Sequence, residues 1–299
     1  MKYLTEYERP SLQEPYLLAA FSGWPDAGEV ATGALRYLIT KLKATRFAQI
    51  DPQELFVFTF QRPLSAFVEP SKRVITWPAI DFYFWKDPDN KHDLVFILGV
   101  EPHLKWRSFI KTVADLMTEL GVKKIITLGG TYDSLPHTLE VQMSGHSNDP
   151  ELQSRMKELG VHFTGYQGPT SIHSPLLEEL YKRGVYGASL WGHAPDYVHF
   201  SPNIKVSHGL LQKASVLLNI AFDLEEAKAA AKALDRKVEQ SIARDPDLSS
   251  YVDRLKEAYE DILETDDGPH EDLWNPEAIV KDLEDFLRSE RGDNSQSNK

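Results

Sequence analysis

Two apolar runs separated by one amphipathic stretch limit the fold more than anything else in this 299-residue chain. Leu94-Val95-Phe96-Ile97-Leu98-Gly99-Val100 and Ile125-Ile126-Thr127-Leu128 show no alternation between a wet face and a dry one. Strands of that kind are buried on both faces, the pattern of a parallel sheet sandwiched between helices. Between them, the stretch 106–120 sets Ile110, Val113, Ala114, Met117 and Leu120 on one helical stripe and stops at Gly121, a suitable C-cap. Strand, helix, strand in that order reads as a right-handed crossover.

The alternation continues to about residue 222, so the fold class is α/β. Strands are expected at 16–21, 55–60, 74–77, 82–85, 94–100, 124–129 and 187–190, and helices at 29–43, 106–120, 150–159, 175–183 and 202–222. After Phe222 the spacing turns helical throughout. Segments 223–242 and 248–263 are joined by Asp245-Pro246-Asp247, with Asp247 the expected N-cap. Pro276 suits the first position of a last helix ending near Phe286, and 291–299 has the composition of a disordered tail. The expected organisation is an α/β domain over 1–222, a C-terminal α-helical appendage over 223–290, and the tail.

Charge separates the same regions. Residues 223–299 hold 22 acidic and 11 basic residues, a net of −11, whereas the first 222 carry only −1. An acidic appendage with no basic stripe elsewhere repels phosphate backbones, which argues against nucleic acid as a partner. No apolar run approaches the ~18–20 residues of a membrane span, and the N-terminus lacks a signal-peptide core, so no membrane partner and a cytoplasmic location are expected. The absence of cysteine excludes disulfides, thiolate nucleophiles and thiolate metal sites. Ten aromatics crowd residues 47–85, and Phe82-Tyr83-Phe84-Trp85 needs cover on both faces, from a large core or from a subunit interface.

Each polar motif falls just after an expected strand. Ser22-Gly23-Trp24-Pro25-Asp26-Ala27-Gly28 follows the first, Glu101-Pro102-His103 follows 94–100, Thr131-Tyr132-Asp133 with Pro136-His137 follows 124–129, and Gly192-His193-Ala194-Pro195 follows 187–190. If the strands are parallel, these loops gather at the carboxyl edge of the sheet, where open α/β folds bind ligands. The candidate pocket residues are therefore Trp24, Asp26, Gly28, His103, Tyr132, Asp133, His137 and His193. No complete catalytic set emerges among them. The first loop is neither G-x-G-x-x-G nor a Walker loop and has no Arg or Lys, and Asp26 stands where an N-cap belongs. The histidines suit a general base, a metal ligand or a proton shuttle, but no metal-ligand spacing accompanies them, so neither a metal nor a cofactor is expected. Gly187-Ala188-Ser189-Leu190-Trp191-Gly192 misses a nucleophile elbow by one residue. The loop Gly165-Tyr166-Gln167-Gly168-Pro169-Thr170 fits turn chemistry or an anion nest.

Taken in order, Gly23 to Gly28, Glu101-Pro102-His103, Thr131-Tyr132-Asp133 with Pro136-His137, Tyr166 to Thr170, and Ser189 to Pro195 resemble the proteasome assembly chaperone 2 family in its actinobacterial form. The resemblance covers about residues 5–222. It implies a three-layer α/β/α sandwich of the nucleoside phosphorylase/hydrolase type and a homo-oligomer. Eukaryotic and archaeal relatives are implied to assist assembly of proteasome α-subunits, and proteasome-binding members often end in hydrophobic-Tyr-any residue. Here the last residues are Ser297-Asn298-Lys299, so docking through such a tail is not expected. Phosphorylases of this architecture hold phosphate with arginines, and no motif places Arg36, Arg62, Arg73 or Arg107 at the edge. The expectation is a non-catalytic oligomeric binding or assembly protein, with a proteasome-related protein as candidate partner. The alternative is a small-molecule enzyme or sensor, of nucleoside or phosphate type, working at the carboxyl edge.

Overall fold

Residues 3–264, apart from 70 and 90, are described by a computed structural model. The chain begins with β1 (Leu4–Glu6) and β2 (Tyr16–Ser22), whose first six residues are buried. A 3-10 turn leads into α1 (Val30–Lys41) and then β3 (Thr45–Ile50). The strands β4 (Leu64–Glu69) and β5 (Lys72–Thr76) form a separate hairpin before β6 (Ile80–Trp85). The crossover follows as β7 (Leu94–Val100), α2 (Trp106–Glu119) and β8 (Lys124–Asp133). Next come β9 (Met143–Ser147), α3 (Pro150–Glu158), β10 (His162–Phe163), α4 (His173–Tyr181), β11 (Tyr186–Pro195) and α5 (Ile204–Leu218). Two further helices are α6 (Glu225–Ile242) and α7 (Pro246–Glu264).

The main sheet runs β1-β3-β6-β7-β2-β8-β11-β9-β10. Its central four strands, β7, β2, β8 and β11, are parallel to one another, and antiparallel strands flank them on both sides. Alternate residues feed two cores. Leu17, Ala19, Phe21, Val95 and Ile97 pack with α2 and α4, whereas Leu18, Ala20, Phe96, Ile126 and Leu128 pack with α1, α3 and α5. This is the α/β/α sandwich that the double-sided apolar runs require. Each fully buried Leu, Ile or Phe contributes roughly 1.5–3 kcal/mol by leaving water. Side chains from the two faces, more than any backbone bond, therefore hold the helical layers to the sheet.

Local chemistry sets the helix ends. α2 stops in a Schellman arrangement: Gly121 has φ 72°, Val122 N–H donates to Met117 C=O at 3.0 Å and Gly121 N–H to Thr118 C=O at 3.1 Å. α3 starts at Pro150 with Asp149 accepting from the Glu151 and Leu152 amides. At α7 the cap is Asp245, which accepts from Asp247 and Leu248 N–H, not Asp247 as the spacing suggests. On α6, Ala227, Ala231, Leu234 and Val238 are buried, and the helix lies against α5 rather than standing free. The last expected helix and the tail lie outside the described residues.

Several expectations fail for identifiable reasons. Residues 55–60 form turns, with Leu55 and Phe56 both buried, so the segment never alternates as a strand does. The strand expected at 82–85 does form, as β6, interior and paired to β3 and β7, and of the two covers expected for its aromatics it is this chain's own cores that supply both sides. β9 reads Met-Ser-Gly-His-Ser, with no β-branched residue, and becomes a strand through pairing with β11 and β10. β8 and β11 run to Asp133 and Pro195, well past the ends set by their apolar stretches.

Gly130 gives a direct test of how tightly α1 approaches β8. A Cβ there would lie 2.1 Å from Val30 Cγ2 and 2.9 Å from Ala27 O. Gly130→Ala is expected to cost about 1–3 kcal/mol by overpacking, read as a drop of several degrees in melting temperature.

Candidate functional site

Because β2, β7, β8 and β11 are parallel, their carboxyl ends share one edge. Two of the four polar motifs at that edge are not loops. Thr131-Tyr132-Asp133 and Gly192 to Pro195 are the final rungs of the β8–β11 ladder, with Thr131 opposite His193 and Asp133 opposite Pro195. Side chains two residues apart on one strand share a face, so Asp133 and His193 are diagonal neighbours. His193, only 5% exposed, has Nδ1 2.9 Å from Asp133 Oδ2 and Nε2 2.8 Å from Ser144 Oγ on β9. The sequence reading found the first two residues and missed Ser144, whose strand carries no sequence signal. Next to this group, His162 on β10 and Trp191 on β11 are the register partners of Ser144, and the Trp191 ring lies over Gly129.

The turn at 22–28 serves the scaffold. Asp26 is 6% exposed; its Oδ1 accepts from the amides of Ala31 at 2.8 Å and Thr32 at 3.1 Å, and its Oδ2 accepts from the Thr32 hydroxyl. The carboxylate thus caps α1 from across the 3-10 turn, three residues before the N-cap position at Glu29. Gly28, at φ 62°, lies inside that turn, and its carbonyl accepts from Asn203 N–H at 2.8 Å. Pro25 C=O accepts from Gly130 N–H at 2.8 Å, stitching the turn to β8. With a carboxylate of the chain already on two amides of α1, the helix start is no cradle for a phosphate. Burial pushes the Asp26 carboxyl up to about 6, against the opposing pull of the Thr32 hydroxyl and the two amides.

The remaining candidates disperse. Trp24 is exposed, edge-on to Trp191 with ring centroids 6.2 Å apart, and Tyr132 is exposed on β8. Glu101 accepts from Ile172 N–H at 2.7 Å and so anchors the start of α4, and burial raises its carboxyl. His103 turns away: its Nδ1 accepts from Val57 N–H at 3.0 Å, and its ring meets Phe56 and Phe60 edge-on. His137 lies 2.7 Å from the Tyr197 hydroxyl, beside a recess near Lys205 and Leu234 of about 20 Å³, room for a water and little more. The three histidines therefore occupy three separate places. Among the described residues no group of three or more His, Cys, Asp or Glu could hold a metal ion. A fourth histidine, His173, follows the loop at 165–170 and is not among the candidate pocket residues. It is sealed between Phe21 and Trp191, among the described residues neither ring nitrogen has a hydrogen-bond partner, and burial holds it down to about 3.

Asp26 and His173 respond to pH with opposite signs. Folding raises the Asp26 value from 3.8, so its stabilising contribution is complete below about 3.8 and is lost as pH rises through about 6. Folding depresses His173 from 6.5, so its contribution is present above 6.5 and is lost as pH falls toward 3. Melting curves between pH 4 and 8 check both. Wild type is expected to gain on Asp26→Asn below pH 6, while His173→Phe gains on wild type over the same range. Asp26→Ala, which removes the cap altogether, should cost about 1–2 kcal/mol at neutral pH.

Comparison with known proteins places the chain. The family model described as the PAC2 family matches residues 20–242. The crystal structure of a Mycobacterium tuberculosis proteasome-assembly chaperone homologue is 30% identical over 79% of this chain and 99% of that chain, with a TM-score of 0.72. A PAC2 family protein from Streptomyces avermitilis is 34% identical over 80% of this chain and 99% of its own, with a TM-score of 0.71. An archaeal proteasome activator from Pyrococcus furiosus, 22% identical over 81% of this chain and 99% of its own, shares the fold at a TM-score of 0.63. No curated protein matches. With its family model aligned over most of the chain and two relatives at 30% identity or more matched over nearly their whole length, this chain belongs to the PAC2 family.

Proposed function

We propose that this chain is an oligomeric binding and assembly protein that works by fit and needs no catalytic step, first with copies of itself and then with a proteasome-related protein. The β4–β5 hairpin carries the reading. It is a two-stranded sheet of its own, every residue of both strands is exposed, and it presents Leu64, Phe67, Val68, Val74 and Ile75 to solvent. Phe60 and Trp77, also exposed, flank it in sequence. An isolated hairpin is marginally stable in water, and apolar side chains exposed on both of its faces, Leu64 and Val74 on one and Phe67 and Ile75 on the other, mark an interaction surface. Among the described residues no further strand pairs with either edge, so a second copy can pair with the same edge in a symmetric, self-complementary contact.

The names of the relatives, a proteasome-assembly chaperone homologue and a proteasome activator, support the choice of partner class. A cytoplasmic setting belongs to the same proposal and suits a cysteine-free chain. Light scattering of the purified protein tests the first half. Wild type is expected to run as an oligomer, and a Leu64→Ser, Phe67→Ser, Ile75→Ser variant as a folded monomer. A monomeric wild type, or a variant that still assembles, overturns the role of the hairpin. Reconstitution with proteasome α-subunits tests the second half: faster ring formation with wild type than with the variant supports it, and equal rates refute it.

A further inference from the structure

Asp133, His193 and Ser144 come from three neighbouring strands and form one continuous hydrogen-bonded row. A carboxylate can only accept, so the proton of the neutral imidazole sits on Nδ1, facing Asp133. The Nε2 lone pair then accepts from the Ser144 hydroxyl. Nucleophile, base and orienting carboxylate stand in the relation used by serine acyl-transfer enzymes, which is recognised by geometry and not by sequence order. His193 is buried, whereas Ser144 and Asp133, at the two ends of the row, are both half-buried, so each end reaches the surface.

We infer that Ser144 is a nucleophilic serine, with His193 as its general base and Asp133 as the residue that fixes the imidazole. The inference goes beyond the assembly reading and does not depend on it. The substrate class is an uncharged carboxylic ester. The Trp191 ring lies over Gly129 on the β8 side of His193's strand and Trp24 stands edge-on to it, so the aromatic surface beside the row is uncharged, and the Asp133 carboxylate disfavours an anionic substrate. Ser144 Oγ adds to the ester carbonyl carbon as its proton passes to His193 Nε2. The bond to the leaving alcohol then breaks, and His193 returns the proton to that oxygen, leaving an acyl-serine. Water adds next, giving its proton to His193, and the carboxylic acid departs as Ser144 regains its hydrogen. Ser144 lies within a strand, without the strand-to-helix elbow that sets backbone amides behind the nucleophile in α/β-hydrolases. Activated esters with good leaving groups are therefore the expected substrates.

The test is covalent. Full-length protein is exposed to a fluorophosphonate and to 4-nitrophenyl acetate, with adducts read by intact mass and peptide mapping. A single adduct on Ser144 is expected. Ser144→Ala should lose it, and Asp133→Asn should slow it at least tenfold and change its pH–rate profile, with circular dichroism verifying both folds. A second variant exploits the absence of cysteine: Ser144→Cys creates a lone thiol that His193 should activate, so alkylation by iodoacetamide at pH 6 should fall at least tenfold when His193→Asn is added. No adduct on folded wild type, undiminished labelling of Ser144→Ala, or a thiol indifferent to His193 overturns the proposal.

Discussion

The ten-rung parallel ladder between β8 and β11 is the constraint on which the rest of the carboxyl edge depends. A parallel register fixes which side chains share a face, and one slipped rung would send each of them to the opposite face. Here it places Asp133 beside His193, Thr127 on the Ser189 hydroxyl at 3.0 Å, and Trp191 against the glycine at 129. The same ladder gives β9 an edge to pair with, which brings Ser144 to the other side of His193. Four motifs that look alike in sequence, each a polar stretch after a strand, are thereby divided into two ladder ends and two true loops.

The two true loops serve mainly as fasteners. Asp26 satisfies the start of α1, and Glu101 does the same for the start of α4. Buried carboxylates on helix amides stabilise by meeting donors that otherwise have no partner. They also occupy the positions where an anion would bind, so the resemblance to phosphate-binding folds extends to architecture and stops at this chemistry. Two aromatic side chains stay exposed beside these fasteners, Trp24 and Tyr132.

Aromatic density between 47 and 85 has two separate explanations. Phe47, Phe56 and Phe82 are core residues of the α2–α4 side, and Phe84 packs beside them. Phe60, Phe67 and Trp77 are exposed, on or beside the hairpin that leaves the main sheet. Composition cannot separate the two groups, because a core strand and an interface hairpin use the same β-branched and aromatic residues. The isolated pairing of β4 with β5 is what separates them.

Sequence alone determined the layered α/β fold, because strands with no polar face must be covered by helices on both sides, and that requirement can be read from the apolar runs at 94–100 and 125–128. It likewise determined the helical character of residues 223–264, where buried positions recur at helical spacing on α6, and the placement of polar motifs after strands. Tertiary structure decided the rest. Ser144 joins His193 because of pairing between β9 and β11, 49 residues apart along the chain, and nothing local in Met-Ser-Gly-His-Ser announces a strand. His103 leaves the edge because its ring accepts a backbone N–H from a segment whose strand-like composition folds as turns. Local periodicity records which face a residue must bury, and only long-range pairing fixes its neighbours across the sheet.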